Sequence, residues 1–140
     1  PQIKAEPVWV DRMRYVISPD HPLASNNRVS LKDLYEFNAI LPDKNTFTRQ
    51  IAEQHFSAEG LQLNVIMSTN YMDTIRMMVS IGLGWSLLPE SMIDTSLKVL
   101  KISDQEILRP LGLIHHRDRT LSNAAQAFIA LLTTNRLENI

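Results

Sequence analysis

The sequence contains no cysteine. Disulfides, thiolate nucleophiles and cysteine-ligated metals are therefore excluded, a pattern compatible with a reducing cytosol. No apolar run approaches the ~18 residues that a spanning helix needs, so no membrane partner is expected. The opening residues lack a basic segment followed by an apolar core and do not read as a signal peptide. They also lack an initiator methionine and open on the approach to a strand, which leads us to expect a fragment or a processed chain. An excess of charge of one sign is missing as well. The formal net charge of -1 argues against a nucleic-acid surface built from bulk charge. The most basic stretch, His115, His116, Arg117, Asp118, Arg119, is diluted by an acid. Catalytic signatures are scarce. No Gly-x-Ser-x-Gly elbow occurs. The lone Gly82-Leu83-Gly84 has no third glycine at dinucleotide spacing and follows a helix instead of opening one.

What is present is an ordinary globular composition, 44% hydrophobic and 21% charged over 140 residues, enough for one core or slightly more. Residues 7–18 favour a strand, which Pro19 and Pro22 end. Ser30 and Asp33 form a capping-box-like pair at the start of a short helix. Phe37 to Leu41 reads as a buried strand stopped by Pro42. Asn45 or Thr46 then caps a helix whose apolar face carries Phe47, Ile51, Ala52, His55 and Phe56. Gly60 stands where a left-handed C-terminal residue is wanted. Leu61 to Met67 alternates as a half-buried strand does. Asn70 is read as the cap of a central helix with Tyr71, Ile75, Met78, Val79 and Gly82 on its stripe. Gly82 and Gly84 break that helix, and Trp85 to Leu88 forms a strand closed by Pro89. Leu97 to Ile102 and Leu108 to His115 read as strands. Ser122 caps a last helix carrying Ala125, Phe128, Ile129 and Leu132. Strands separated by helices indicate an α/β sandwich with a mostly parallel sheet.

Two helix starts stand out as binding candidates: Asn45-Thr46-Phe47-Thr48 and Ser68-Thr69-Asn70. Each follows a strand, and in an open α/β sheet such starts gather at the carboxyl edge, where ligands bind. Unpaired N–H groups, the positive dipole end and hydroxyl donors suit a small carboxylate or other anion. Plain capping is the alternative for both. No cofactor or metal site is expected. The adjacent His115 and His116 point to opposite faces of a strand and do not chelate one ion from the same side. His21 sits in a turn, and His55 reads as a partly buried helix residue. Met67, Met72, Met77 and Met78 read as core packing, with oxidation sensing as the alternative.

Several segments, in this order, resemble the effector-binding domain of LysR-type transcriptional regulators. They are His21-Pro22-Leu23-Ala24; Ser30 to Leu34; Ile40-Leu41-Pro42 followed by Thr48 to Ile51; Val79-x-x-Gly82-x-Gly84-x-x-x-x-Pro89; and Arg119-Thr120-Leu121-Ser122 before Phe128. The resemblance covers nearly the whole chain. It implies an α/β, type 2 periplasmic-binding-protein-like fold, with one complete subdomain and part of a second. Residues 1–18 would belong to regulatory subdomain I, residues 19–99 would form subdomain II, and residues 100–140 would return to subdomain I. A small, anionic effector would bind in the inter-subdomain cleft, against Asn45, Thr46, Ser68, Thr69 and Asn70. The protein would be a cytoplasmic, non-enzymatic sensor that forms a homo-oligomer, a dimer or tetramer. It would meet DNA only through an N-terminal helix-turn-helix that this chain does not contain. The helix from Thr46 to Ser57 and the strand from Leu61 to Met67 would lie at the dimer interface. The stripe near the C-terminus would pack on another chain or on a further segment. The rival readings are a periplasmic solute-binding protein of the same fold, which would carry an export signal, and an enzyme, which would need a buried acid–base pair in place of these hydroxyls and amides.

Overall fold

A computed structural model describes residues 3–102 and 107–116, with side chains over 10–102 and 107–109. The expected helix after Ser122 lies outside those residues. Contacts divide the chain into two compact units, one of Met13–Ile107 and one of Pro1–Arg12 with Leu108–Ile140. Strand β1 (Ile3–Ile17) passes through both. In the second-named unit β1 pairs with β6 (Ile107–His116), and Arg109 Nη2 donates to Asp11 Oδ2 at 2.8 Å. His115 and His116 lie on β6, as expected.

The Met13–Ile107 unit carries α1 (Leu31–Tyr35), β2 (Ala39–Leu41), α2 (Phe47–Ala58), β3 (Val65–Ser68), α3 (Met72–Ser80), β4 (Ser86–Pro89) and β5 (Lys98–Val99). Strand β1 runs between β4 and β5 and is antiparallel to both. Strands β2 and β3 are parallel, and a parallel bridge from Ala39 to Trp85 joins β2 to the start of β4. The sheet is therefore mixed, not mostly parallel. The parallel pairs come from the β2–α2–β3 and β3–α3–β4 crossovers, while β1 enters from the other direction. The strand expected over Leu97 to Ile102 shrinks to β5, and that expected from Leu61 begins only at Val65.

Alternation along the strands loads two cores, one on each face of the sheet. Tyr15, Ile17, Ala39, Leu41, Trp85 and Leu87 meet Leu31 and Leu34 of α1 and Ala52 and Phe56 of α2. Val16, Ile40 and Leu88 face the other way, onto Ile75 and Val79 of α3. The Ser30–Asp33 box closes in both directions, and Gly60 adopts a φ of 72° just past α2.

The apolar faces differ in detail from the sequence reading. On α2 the buried positions are Thr48, Arg49, Ala52 and Phe56, and Phe47 is exposed. On α3 only Ile75 and Val79 are buried, and Tyr71 is 77% exposed. Met67 and Met77 are exposed rather than core. The first stands on β3, which among the described residues pairs only with β2; the second is on the outer side of α3, away from Ile75 and Val79.

Two histidines tie this unit to pH. His21 Nδ1 accepts from the Leu23 N–H at 3.0 Å, and the ring packs edge-on against Phe37. His55 Nδ1 pairs at 3.0 Å with the hydroxyl of Tyr15, a phenol that burial pushes up, with Glu59 adding to the shift. The Tyr15 hydroxyl then donates, which requires an unprotonated Nδ1. Burial lowers both imidazoles below the ordinary value of 6.5, and Glu59 opposes this only in part at His55. The unfolded chain therefore takes up protons first as the pH falls. The stability from these two sites is fully present above about pH 6.5 and is lost as the pH drops through the folded pKa values. Melting temperatures measured from pH 8 to pH 5 should fall below about 6.5, and His21→Asn with His55→Gln should flatten that fall. An unaltered profile in the double variant would refute the assignment.

Candidate functional site

Strands β2 and β3 pair in parallel, with a register shift between Ala39 and Ile40, up to their carboxyl ends, where Leu41 lies opposite Ser68. Each then leads into a helix, so residues 42–46 and 69–71 are neighbouring strand–helix connections at one edge of the sheet. The Thr69 N–H donates to the Leu41 carbonyl at 3.2 Å and extends the pairing by one residue. The Asp43 N–H donates to Asn70 Oδ1 at 2.9 Å and ties one connection to the other. The five residues expected at the site are thereby gathered on two adjacent connections.

Their local roles differ. Thr46 is the cap of α2: its Oγ1 accepts from the Arg49 N–H at 3.2 Å and donates to the Asp43 carbonyl at 2.8 Å. Asn45 is exposed beside it. Thr69 Oγ1 accepts from the Tyr71 N–H at 3.2 Å, which leaves its own proton to donate. Ser68 is exposed at the end of β3. Asn70 is not the cap expected of it. Tyr71 takes the extended conformation before α3, no side chain caps this helix, and the Asn70 side chain is engaged with Asp43 instead. The first amides of α3 therefore keep no side-chain acceptor. The next hydrogen bond is that from the Ile75 N–H to the Tyr71 carbonyl.

Behind residues 42–46 sits Arg49, which the sequence reading did not single out. Its side chain is only 7% exposed. Nη1 donates to the Pro42 carbonyl at 3.2 Å, and Nε donates to Glu53 Oε1 at 3.1 Å. The available signal was its spacing: Arg49, Ala52 and Phe56 share a helix face, and Glu53 follows at i+4. Chemically the site offers hydroxyls, an amide and free helix N–H groups, with a buried guanidinium held on the Pro42 carbonyl. Among the described residues no group of acids, histidines or cysteines suits a metal ion, and no helix is long and apolar enough to cross a membrane.

The family model described as the LysR substrate binding domain matches residues 1–136. The chain belongs to that family. LysR relatives share its length only in part. The chain is 27% identical over 132 residues to the RuBisCO operon transcriptional regulator of Allochromatium vinosum, covering 91% of this chain and 44% of that protein. The chain thus spans less than half the length of such relatives. Two solved structures share the fold. The effector-binding domain of QuiR in complex with shikimate matches with a TM-score of 0.82 at 21% identity, covering 100% of this chain and 68% of that one. The Synechocystis PCC6803 CcmR regulatory domain in complex with 2-PG matches with a TM-score of 0.82 at 21% identity, over 96% and 67%. The α/β, periplasmic-binding-protein-like fold of LysR effector-binding domains is therefore the fold of this chain, and the relatives are transcriptional regulators.

Proposed function

We propose that this chain is the effector-sensing part of a bacterial LysR-type transcriptional regulator, and that a small anion binds at the joined starts of α2 and α3. The observation that carries the reading is the hydrogen bond between the Asp43 N–H and Asn70 Oδ1, which holds two donor-rich connections side by side. The Thr69 hydroxyl, the uncapped amides of α3 and the helix dipoles then present positive ends in one place. Asn45, Thr46 and Ser68 complete the set. The ligands named for the QuiR and CcmR domains guide the choice of probes. In this reading the chain is a non-enzymatic, cytoplasmic sensor. Residues 19–99 form its regulatory subdomain II, and residues 1–18 with 100–140 belong to subdomain I.

The regulator acts as a homo-oligomer and reaches DNA through an N-terminal helix-turn-helix. The edge strand β3, with Ile66 52% exposed, and the neighbouring α2 form a contact face for a second copy. The effector switches the regulator only by its difference in affinity between two arrangements, however tightly it binds.

Calorimetric titration with shikimate, 2-PG and inorganic phosphate tests the site. Thr69→Ala should weaken the anion that binds by about tenfold, the worth of one hydrogen bond to a charged group. Thr46→Val, whose hydroxyl proton already goes to the Asp43 carbonyl, should weaken it less, by loosening the 42–46 connection, and lower stability by about 1 kcal/mol through the lost cap. Unchanged affinity in both variants would remove the assignment.

A further inference from the structure

The Pro42 carbonyl and the Asp43 N–H belong to one peptide group, and each side of it is held by a different residue. The buried Arg49 guanidinium donates to the carbonyl at 3.2 Å, and Asn70 Oδ1 accepts from the N–H at 2.9 Å. Proline fixes φ at residue 42, so this peptide turns over by opposed changes in the ψ of Pro42 and the φ of Asp43. A guanidinium cannot be deprotonated in a protein and has no acceptor atom, so the group facing Arg49 must be a carbonyl. The opposite face of a trans peptide is then the N–H. An N–H meets only an acceptor, which assigns the Asn70 amide without ambiguity: Oδ1 faces inward to Asp43, and Nδ2 is left outward. Turning the peptide over would reverse both, and Asn70 would present its carbonyl.

We infer that Arg49 is a positioning residue that sets the polarity of the site. By holding the Pro42 carbonyl it turns the Asp43 amide toward Asn70 and leaves the Asn70 NH2 as the group offered to a ligand. This rests on the anion-binding reading above and deepens it. Arg49 favours an anion by fixing a neutral side chain donor-outward, with no contact to the ligand. The charge-assisted bond to Pro42 also polarises the peptide and strengthens its N–H as a donor.

Amide hydrogen exchange on the ligand-free full chain, read residue by residue by NMR, tests the first half. Asn70→Ala removes the acceptor on an exposed residue and sets the scale for full loss of Asp43 protection. Arg49→Met keeps the side-chain length without a donor. Arg49→Lys keeps the charge without the fork that serves Pro42 and Glu53 together, and it stands in if the first variant does not fold. In either, Asp43 exchange should rise about tenfold, the worth of one hydrogen bond, to the Asn70→Ala value. The amides of Ala52 and Phe56 should keep their rates. Asp43 protection unchanged in a folded variant overturns the proposal, as does a loss shared equally by Ala52 and Phe56.

Titration with inorganic phosphate tests the second half. Asn70→Asp keeps an oxygen for the Asp43 N–H and replaces the outward donor, so Asp43 protection should persist while phosphate binding is lost. Phosphate binding that survives Asn70→Asp overturns the donor-outward assignment. A wild-type chain that binds no anion would end the anion-binding reading and the second half with it, and the exchange rates would still decide the role of Arg49.

Discussion

Trp85→Ala is expected to lower the unfolding free energy by about 4–5 kcal/mol, the upper range for deletion of a buried aromatic. The ring is fully buried and lies flat on Phe56, with centroids 5.2 Å apart and planes 3° from parallel. Tyr15 packs on it at 5.7 Å. The indole N–H donates to the carbonyls of Leu34 and Phe37 at 3.1 and 3.3 Å, which fixes the end of α1 against β4. One side chain thus joins β1, β4, α1 and α2, and its removal opens a void that four elements cannot close together. Chemical denaturation followed by circular dichroism measures the loss. Trp85→Phe, which keeps most of the ring and gives up the donor, should cost roughly half as much. Equal costs for the two variants would mean that the indole N–H, and not the buried ring, carries the effect.

Gly84→Ala should cost about 3 kcal/mol, near the top of the usual range for overpacking. A Cβ at residue 84 would stand 2.4 Å from the carbonyl oxygen of Asn38 and 3.0 Å from its carbon. Both are backbone atoms and cannot swing aside. The same carbonyl accepts from the Trp85 N–H at 2.9 Å, and Ile40 N–H donates to the Trp85 carbonyl at 2.9 Å. Relief of the clash would therefore pull β4 away from β2 and break the bridge between them. Gly82 is the control. A Cβ there meets nothing within 4 Å, and only its φ of 91° opposes a side chain. Gly82→Ala should cost about 1 kcal/mol. Urea midpoints at equal slope compare the two variants. A Gly84 variant no weaker than the Gly82 variant would show that β2 and β4 are free to separate.

What could be read from the sequence was local, and what escaped it was mostly long-range. The Ser30–Asp33 box, the Thr46 cap and the left-handed Gly60 each depend on residues within one helical turn, and each was legible. Local pattern groups Gly82 and Gly84 as one helix break. In the structure Gly82 ends the helix and Gly84 admits a neighbouring backbone, a contact with residue 38 that no window around residue 84 contains. Local pattern makes Asn70 a cap, whereas its acceptor serves Asp43 on another connection. Arg49 was hidden by its charge, since an arginine is expected in solvent unless its partners are known. The exposure of Met67 follows from β3 lying at a sheet edge, a property of strand order that composition does not carry.

Strand β1 precedes its neighbours β4 and β5 by most of the length of this unit. Its residues Met13 to Val16 pair with Ser86 to Pro89, and Val16 and Ile17 with Lys98 and Val99, so almost the whole unit must leave the ribosome before either neighbour exists. The β2–α2–β3 crossover is made of segments adjacent in the chain and can close earlier. Until β4 and β5 arrive, the apolar run Tyr15-Val16-Ile17 lacks these two partners and is open to wrong ones. Nascent chains arrested before residue 86 should therefore be the form of this protein that chaperones hold.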